Sequence, residues 1–271
     1  MIKSEVHIHT TYGDGLNTPE EMVKAAIKKG YTLLGFSEHS PIPGEKWAMK
    51  EKDEPLYRAE IAELKEKYKD RITVLCGIEQ DSFSDLPKEP YDYMIASVHG
   101  VEKGRRIWDV DASIEQMEDL ISLFSGSPMN LAEAYFEEVS KVLEKTHGDI
   151  IGHFDLINKW EKIHPFFSID HPRYRAAAEG AVKALIPYGV PFEVNTGAIA
   201  RGYRASAYPV NYVMRAIHER GGDMILSSDC HDAEKLGIGF EDALKRIRAA
   251  GFERLTVRTA TGFDYVDINK V

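Results

Sequence analysis

Along this chain, short apolar runs alternate with longer amphipathic stretches, and run after run ends in a histidine or an acid. Alternation of strand-length and helix-length segments predicts a parallel sheet with helical crossovers. A length of 271 residues suits one α/β barrel. No repeat, low-complexity tract or Pro/Gly/Ser-rich linker divides it, so residues 1–271 are read as a single domain.

The first run covers residues 2–8 and ends in His7-Ile8-His9. Strand side chains alternate with period 2, so the two imidazoles share a face and could share a metal ion. Asp14 follows between Gly13 and Gly15, close enough to add an oxygen ligand. Thr18-Pro19-Glu20-Glu21 then reads as a helix start, with Thr18 as N-cap and Glu21 completing a capping box, and the helix runs to about Lys29 before Gly30.

Further strands are expected at 31–37, 72–78, 91–98, 149–152, 190–194, 223–228 and 254–258. Helices are expected at 54–68, 113–125 (capped by Ser113), 130–146 (capped by Asn130), 171–187, 209–220 and near 239–250. The Glu- and Lys-rich 54–68 stretch reads as a solvated helix face. Between the 72–78 and 91–98 strands there is no room for a usual helical crossover, so the barrel should be irregular there. Loop 40–53 with Trp47 and loop 100–112 with Trp108 are expected to cover the mouth of the site.

Composition excludes several classes. A net charge of −10 makes the chain a poor ligand for the phosphate backbone, so no nucleic-acid partner is expected. No run approaches the roughly 20 apolar residues a bilayer span needs, and no membrane association is expected. Two cysteines, Cys76 and Cys230, imply no disulfide framework. With no apolar leader at the start, a cytoplasmic location is the expectation. Nothing in the composition sets an oligomeric state.

The polar residues at the strand ends carry the chemistry. His7 and His9, His39, Glu79, His99, His153, and Asp229 with His231 each follow a different predicted strand. In a parallel barrel that end holds the active site. Six of the ten histidines gather there. So many basic and acidic groups would be costly to bury without a partner, and metal ions are the natural one. Imidazole and carboxylate without a thiolate cluster suit Zn, Fe or Mn. Eight such side chains exceed what one tetrahedral ion takes, so two to three divalent ions and a bridging carboxylate are expected. Alternation turns Cys230 away from the face Asp229 and His231 share, into the core.

The ordered set His7-Ile-His9, Glu38-His39, Gly77-Ile-Glu79, Ser97-Val-His99, Gly152-His153-Phe-Asp155 and Ser228-Asp229-Cys-His231 resembles the PHP (polymerase and histidinol phosphatase) superfamily. The stretches 149–159 and Glu193-Val-Asn-Thr-Gly197 are similar to its histidinol-phosphate phosphatase branch. The resemblance implies a distorted (β/α)7 TIM-like barrel with a trinuclear site. By residue, it implies His7, His9, Glu79 and Asp229 on a first ion, with Glu79 bridging to a second held by His99 and His153. Asp14, His39 and His231 would hold a third; Glu38 would stand behind the ligands or cap a helix.

The implied reaction is hydrolysis of L-histidinol phosphate, a small phosphorylated substrate, in histidine biosynthesis, with a metal-bridging hydroxide as nucleophile. Arg201 and Lys159 are expected to bind phosphate oxygens, Arg201 as a fork and Lys159 as a point charge. Asp229 or His231 would move the proton. Asp81, two residues past Glu79, would receive the substrate amine, and Asn195, with Glu193, would assist binding. Competing readings are a PHP phosphoesterase for another small monoester or nucleotide, a non-catalytic metal-binding scaffold, and a related amidohydrolase. The scaffold predicts lost ligands, and every position is filled. The amidohydrolase predicts a metal-bridging lysine, and no strand end before His99 carries one.

Overall fold

In the computed structural model, residues 3–270 are described. The strands are β1 (Ser4–Glu5), β2 (Leu33–His39), β3 (Thr73–Asp81), β4 (Tyr93–Ser97), β5 (Gly100–Lys103), β6 (Arg106–Asp109), β7 (Ile150–Ile151), β8 (Phe192–Asn195), β9 (Met224–Ser227), β10 (Arg254–Arg258) and β11 (Phe263–Asp267). The α-helices are α1 (Pro19–Lys29), α2 (Glu54–Tyr68), α3 (Ile114–Leu123), α4 (Pro128–Ser140), α5 (Val142–Thr146), α6 (Pro172–Leu185), α7 (Gly197–Ala200), α8 (Asn211–Glu219) and α9 (Phe240–Ala249). Residue 2, the expected start of the first strand, lies outside the described residues.

Seven strands pair in parallel in the order β1-β2-β3-β4-β7-β8-β9. The ring closes past the end of β9: Cys230 N donates to His7 O at 2.9 Å and His9 N to Cys230 O at 3.0 Å. A distorted seven-stranded barrel results, as the resemblance implied. β10 joins β9 in parallel, and β11 folds back on β10. The direct β3-to-β4 connection forms without a helix, at the place where the barrel was expected to be irregular.

Registers sort the side chains by face. Gly35 and Leu75, Ser37 and Gly77, and His39 and Glu79 lie side by side on β2 and β3, and Glu79 lies beside Ile95 on β4. The inner floor is apolar: Val6, Leu33, Leu75, Tyr93, Ile95, Ile150 and Ile225 form one buried group. Above them the same face turns polar. Tyr93 lies between Gly35 and Gly77, and its hydroxyl is 2.5 Å from Val6 O and 2.9 Å from Phe36 O. Outside the ring, α1 and α2 bury Met22, Val23, Tyr57 and Ile61 against β2 and β3. α4, α6 and α8 bury a larger apolar layer on the opposite side.

Where β1 ends, Glu5 takes over its hydrogen bonding. Its buried carboxylate accepts from Val6 N at 2.9 Å, His7 N at 3.1 Å, and Ser228 N and Oγ at 3.0 and 2.6 Å. α1 begins as expected, with Thr18 and Glu21 capping each other. Several local readings change. The expected 130–146 helix starts at Pro128 on a Ser127 cap rather than at Asn130, and breaks at Lys141. Residues 100–109 are a hairpin, not a loop: Lys103 pairs with Arg106 around Gly104, whose φ of 74° suits the first position of a tight turn. β11 and α7 were also not foreseen. Among the described residues no helix is long and apolar enough to cross a membrane.

Replacing a strand glycine by alanine ordinarily stabilises by up to about 1 kcal/mol. At Gly77 a Cβ would lie 2.4 Å from the Tyr93 ring and 2.8 Å from Phe36 O. Gly77→Ala should therefore destabilise by about 1–3 kcal/mol in urea unfolding, as overpacking does; a stability at or above that of the native chain would contradict this account of the floor.

Candidate functional site

Each barrel strand delivers its side chain upward for a simple reason. His39 is the last residue of β2, Glu79 lies near the end of β3, and Asp229 follows β9 by two residues. All are on the inward parity. His99 keeps that parity past the end of β4. His153 does not; β7 stops at Ile151, so the chain has left the extended conformation before it.

The Glu79 carboxylate is the centre of the group and is fully buried. Its Oε2 is 2.8 Å from His39 Nδ1, 3.2 Å from His7 Nε2 and 3.5 Å from His9 Nε2. Its Oε1 is 2.8 Å from His153 Nε2 and 3.3 Å from His99 Nε2. Burial alone would raise its pKa, but the imidazoles of His39, His7 and His99 outweigh that and hold it well below the usual carboxylate range. Asp229 Oδ1 lies 3.3 Å from His9 Nε2 and 3.8 Å from His7 Nε2, and Asp229 Oδ2 accepts from Arg201 Nη2 at 3.0 Å. Burial opposes its charge too, and Arg201 and His7 overcome it.

On the outer side, Asp14 Oδ1 is 3.1 Å from His231 Nε2 and 3.6 Å from His39 Nε2. The rings of His39 and His231 each stack on His9, with centroids 4.2 Å away. All nine residues expected as ligands thus stand in one connected group. Three subsets bring a donor atom each within 4.8 Å of one another: His7, His9 and Glu79; His39, Glu79 and His99; and His9, Asp14, His39 and His231. His39 therefore stands beside Glu79 as well as Asp14, which the sequence reading did not foresee.

Glycines permit this crowding. A Cβ on Gly15 would lie 2.5 Å from the His9 and Thr10 backbone, and one on Gly13 would lie 2.7 Å from Glu38 Oε2. The Asp14 turn packs directly against the first strand for that reason. A Cβ on Gly197 would lie 2.7 Å from Asp229 Oδ2. Asp229 itself sits at φ 44°, an uncommon conformation for a non-glycine residue that clusters at functional sites.

A second layer orients the imidazoles. Glu193 Oε1 is 2.5 Å from His7 Nδ1, and its Oε2 accepts from His153 N at 2.7 Å and Asn195 Nδ2 at 3.0 Å. Ser227 Oγ also donates to Glu193. Burial raises the Glu38 carboxyl to about 8; its Oε1 accepts from Thr10 N at 2.6 Å, and its Oε2 is 3.9 Å from His9 Nδ1. Glu38 thus stands behind His9. The Cys230 thiol packs with Ile8 and donates to Asp232 O, away from the site, as alternation required.

Two residues expected at the substrate lie elsewhere. Asp81 Oδ2 is 3.0 Å from His99 Nδ1, and its Oδ1 accepts from Phe83 N at 2.7 Å. Both oxygens are engaged and the residue is buried, so it orients His99 instead of meeting an amine. Asn195 is fully buried, donating to Glu193 and accepting from Gly197 N at 2.9 Å. Its parity sends it inward, but one layer too deep.

Above the group is a cleft of about 660 Å³. Arg201 and Lys159 line it, as expected. Arg201 Nη1 is 3.2 Å from His231 Nε2, and Lys159 Nζ is bound to Asp111 O and Oδ2 at 2.8 and 3.0 Å. Trp47 lines the cleft; Trp108 does not, and Asp109, Asp111 and Ala112 represent its segment there. Trp108 instead packs, partly buried, against the apolar core, with the Arg106 guanidinium over its ring.

The donor set fits divalent ions. His7 Nε2, His9 Nε2 and Glu79 Oε2 are buried, converge, and have no hydrogen-bond partner among the described residues. Such groups are costly unless something binds them. Nitrogen and oxygen donors without sulfur suit Zn, Fe or Mn.

Comparison with known proteins agrees with this geometry. The PHP domain family model matches residues 5–197. A Deinococcus radiodurans protein named "Probable histidinol-phosphatase" is 31% identical over 269 residues, covering 93% of this chain and 95% of the relative. The histidinol-phosphatase of Bacillus subtilis is 25% identical, covering 91% of this chain and all of that one. The crystal structure of Lactococcus lactis histidinol phosphate phosphatase, complexed with zinc, L-histidinol and phosphate, superposes with a TM-score of 0.72 at 23% identity, over 97% of this chain and 100% of that chain. The chain belongs to the PHP domain family, in the branch of the histidinol-phosphatases.

Proposed function

We propose that this chain hydrolyses L-histidinol phosphate to L-histidinol and phosphate, a step of histidine biosynthesis, with two to three divalent transition-metal ions. The observation that carries the reading is the convergence of unpartnered His7 Nε2, His9 Nε2 and Glu79 Oε2 beneath a cleft that Arg201 lines. In this reading His7, His9, Glu79 and Asp229 would hold one ion, and Glu79 with His99 and His153 would hold a second. Asp14, His39 and His231 hold a third. Bound ions would supply charge for the phosphoryl oxygens and bring the pKa of a water down to about 7.

The chain's own residues do the rest. The Arg201 guanidinium, held by Asp229 and His231 at the cleft wall, presents a planar fork to phosphoryl oxygens. Lys159 adds a point charge, already partly neutralised by Asp111. In this reading Asp229 or His231, 3.5 Å apart, would pass the proton that the leaving alcohol oxygen needs. Glu193, Asp81 and Glu38 keep His7, His99 and His9 in fixed orientations, which preserves the donor geometry between turnovers.

Phosphate release from L-histidinol phosphate and a panel of other monoesters tests the substrate. A preference of several orders of magnitude for L-histidinol phosphate supports it; a flat profile removes it and leaves a general phosphoesterase. His9→Asn should lower the bound-metal content by elemental analysis. It should also lower kcat/KM at least about 100-fold, because several kcal/mol of charge stabilisation go and each 1.4 kcal/mol is tenfold. Full activity in that variant would place the chemistry elsewhere.

Gly197→Ala drives a methyl group into the Asp229 carboxylate. A displacement of about 1 Å can cost about 100-fold in rate, so kcat/KM should fall by roughly that factor in protein that circular dichroism shows to be folded. Native kinetics would show that the position of Asp229 does not matter.

A further inference from the structure

One acid on the cleft wall has no partner among the described residues. Asp109 ends the β5–β6 hairpin, paired across it with Gly100, the residue after His99. Gly100 leaves no room for a side chain, since a Cβ would lie 2.8 Å from Ile107 Cγ2 and 3.0 Å from Trp108 O. Val110 N donates to His99 O at 2.8 Å. The hairpin base is thereby locked to the strand end that carries His99, and Asp109 is fixed on the wall of the cleft that Trp47 also lines.

The other acids in that wall are occupied. Asp111 receives Lys159, Asp229 receives Arg201, and Asp14 faces His231 and His39. Asp109 makes neither an ion pair nor a side-chain hydrogen bond with a described residue. Burial, with Asp111 and Glu45 adding repulsion, pushes its carboxyl up to about 6. A half-buried carboxylate in this condition gains from an incoming cation. An indole in the same cleft, that of Trp47, can add a cation–π contribution of the order of 0.5–2 kcal/mol.

We propose that Asp109 is a specificity residue that receives a positively charged amine on the alcohol portion of the substrate, in the cleft that Trp47 also lines. The substrate class is then the phosphate monoester of an amino alcohol. This rests on the phosphatase reading above, and deepens it: Arg201 and the ligand group address the phosphoryl end, and Asp109 the cationic end. It also replaces Asp81 in that role, because both Asp81 oxygens are already used.

The test is the ratio of kcat/KM within matched pairs, measured on zinc-loaded native protein, D109N and D109A. One pair is L-histidinol phosphate and its N-acetyl derivative; the other is ethanolamine phosphate and ethyl phosphate. The native protein should prefer the free amine by about 10–100-fold, the range a site built for a polar group can enforce. In both variants the ratio should collapse towards one, chiefly through KM, and D109E should restore part of it. A ratio unchanged in D109N and D109A, or no amine preference in the native protein, overturns the assignment. A preference in the ethanolamine pair that D109N abolishes upholds it even if L-histidinol phosphate proves no better than p-nitrophenyl phosphate. That last result would sink only the histidinol reading.

Discussion

A carboxylate buried among five imidazoles is the interaction on which the rest of this structure depends. Glu79 is fully enclosed, and an isolated charge there would cost several kcal/mol. Its compensation comes from His7, His9, His39, His99 and His153, which arrive from four different strand ends. No local segment could supply them. The barrel must close for the charge to be tolerated, and it closes at the chain segment that bears His7 and His9. Ring closure through Cys230 and assembly of the site are therefore one event.

The same strands explain why the interior changes character from floor to mouth. On β3 the inward series runs Leu75, Gly77, Glu79, Asp81. Its lower half packs against Tyr93, and its upper half meets the histidines. Gly35 and Gly77 are empty places that the Tyr93 ring fills, so the polar layer rests on a rigid plug. Such a floor limits how far the ligand side chains can sink, and the loops above supply what varies. Trp47 and the β5–β6 hairpin both belong to these loops.

Much of this was legible in the amino-acid order, because period-2 alternation is a local rule. His7 with His9, His39, Glu79, His99 and Asp229 follow it, and Cys230 follows it in the opposite sense. His153 breaks it, and only its place just after an apolar run revealed it. The Thr18 cap was legible because its partner Glu21 is three residues away. Depth was not legible. Asn195 and Asp81 face inward as parity requires, but parity cannot tell a residue at the cleft from one whose oxygens neighbours have already taken. Nor could it show that Glu5 would replace the hydrogen bonding of β1, since its partner Ser228 is 223 residues away. The hairpin was hidden for a different reason. Its exposed strands hold charged residues on both faces and lack the apolar alternation by which a strand is recognised, so only Gly104 marked it.

Anomalous diffraction from metal-loaded crystals shows whether the Glu79-centred group is a metal centre. The account predicts anomalous peaks about 2.0–2.2 Å from His7 Nε2, His9 Nε2 and a Glu79 oxygen, the ordinary range for zinc–nitrogen and zinc–oxygen bonds. A further peak should lie between Glu79, His99 and His153. A loaded crystal with no peak inside this group, its ions held elsewhere on the chain, would contradict the account.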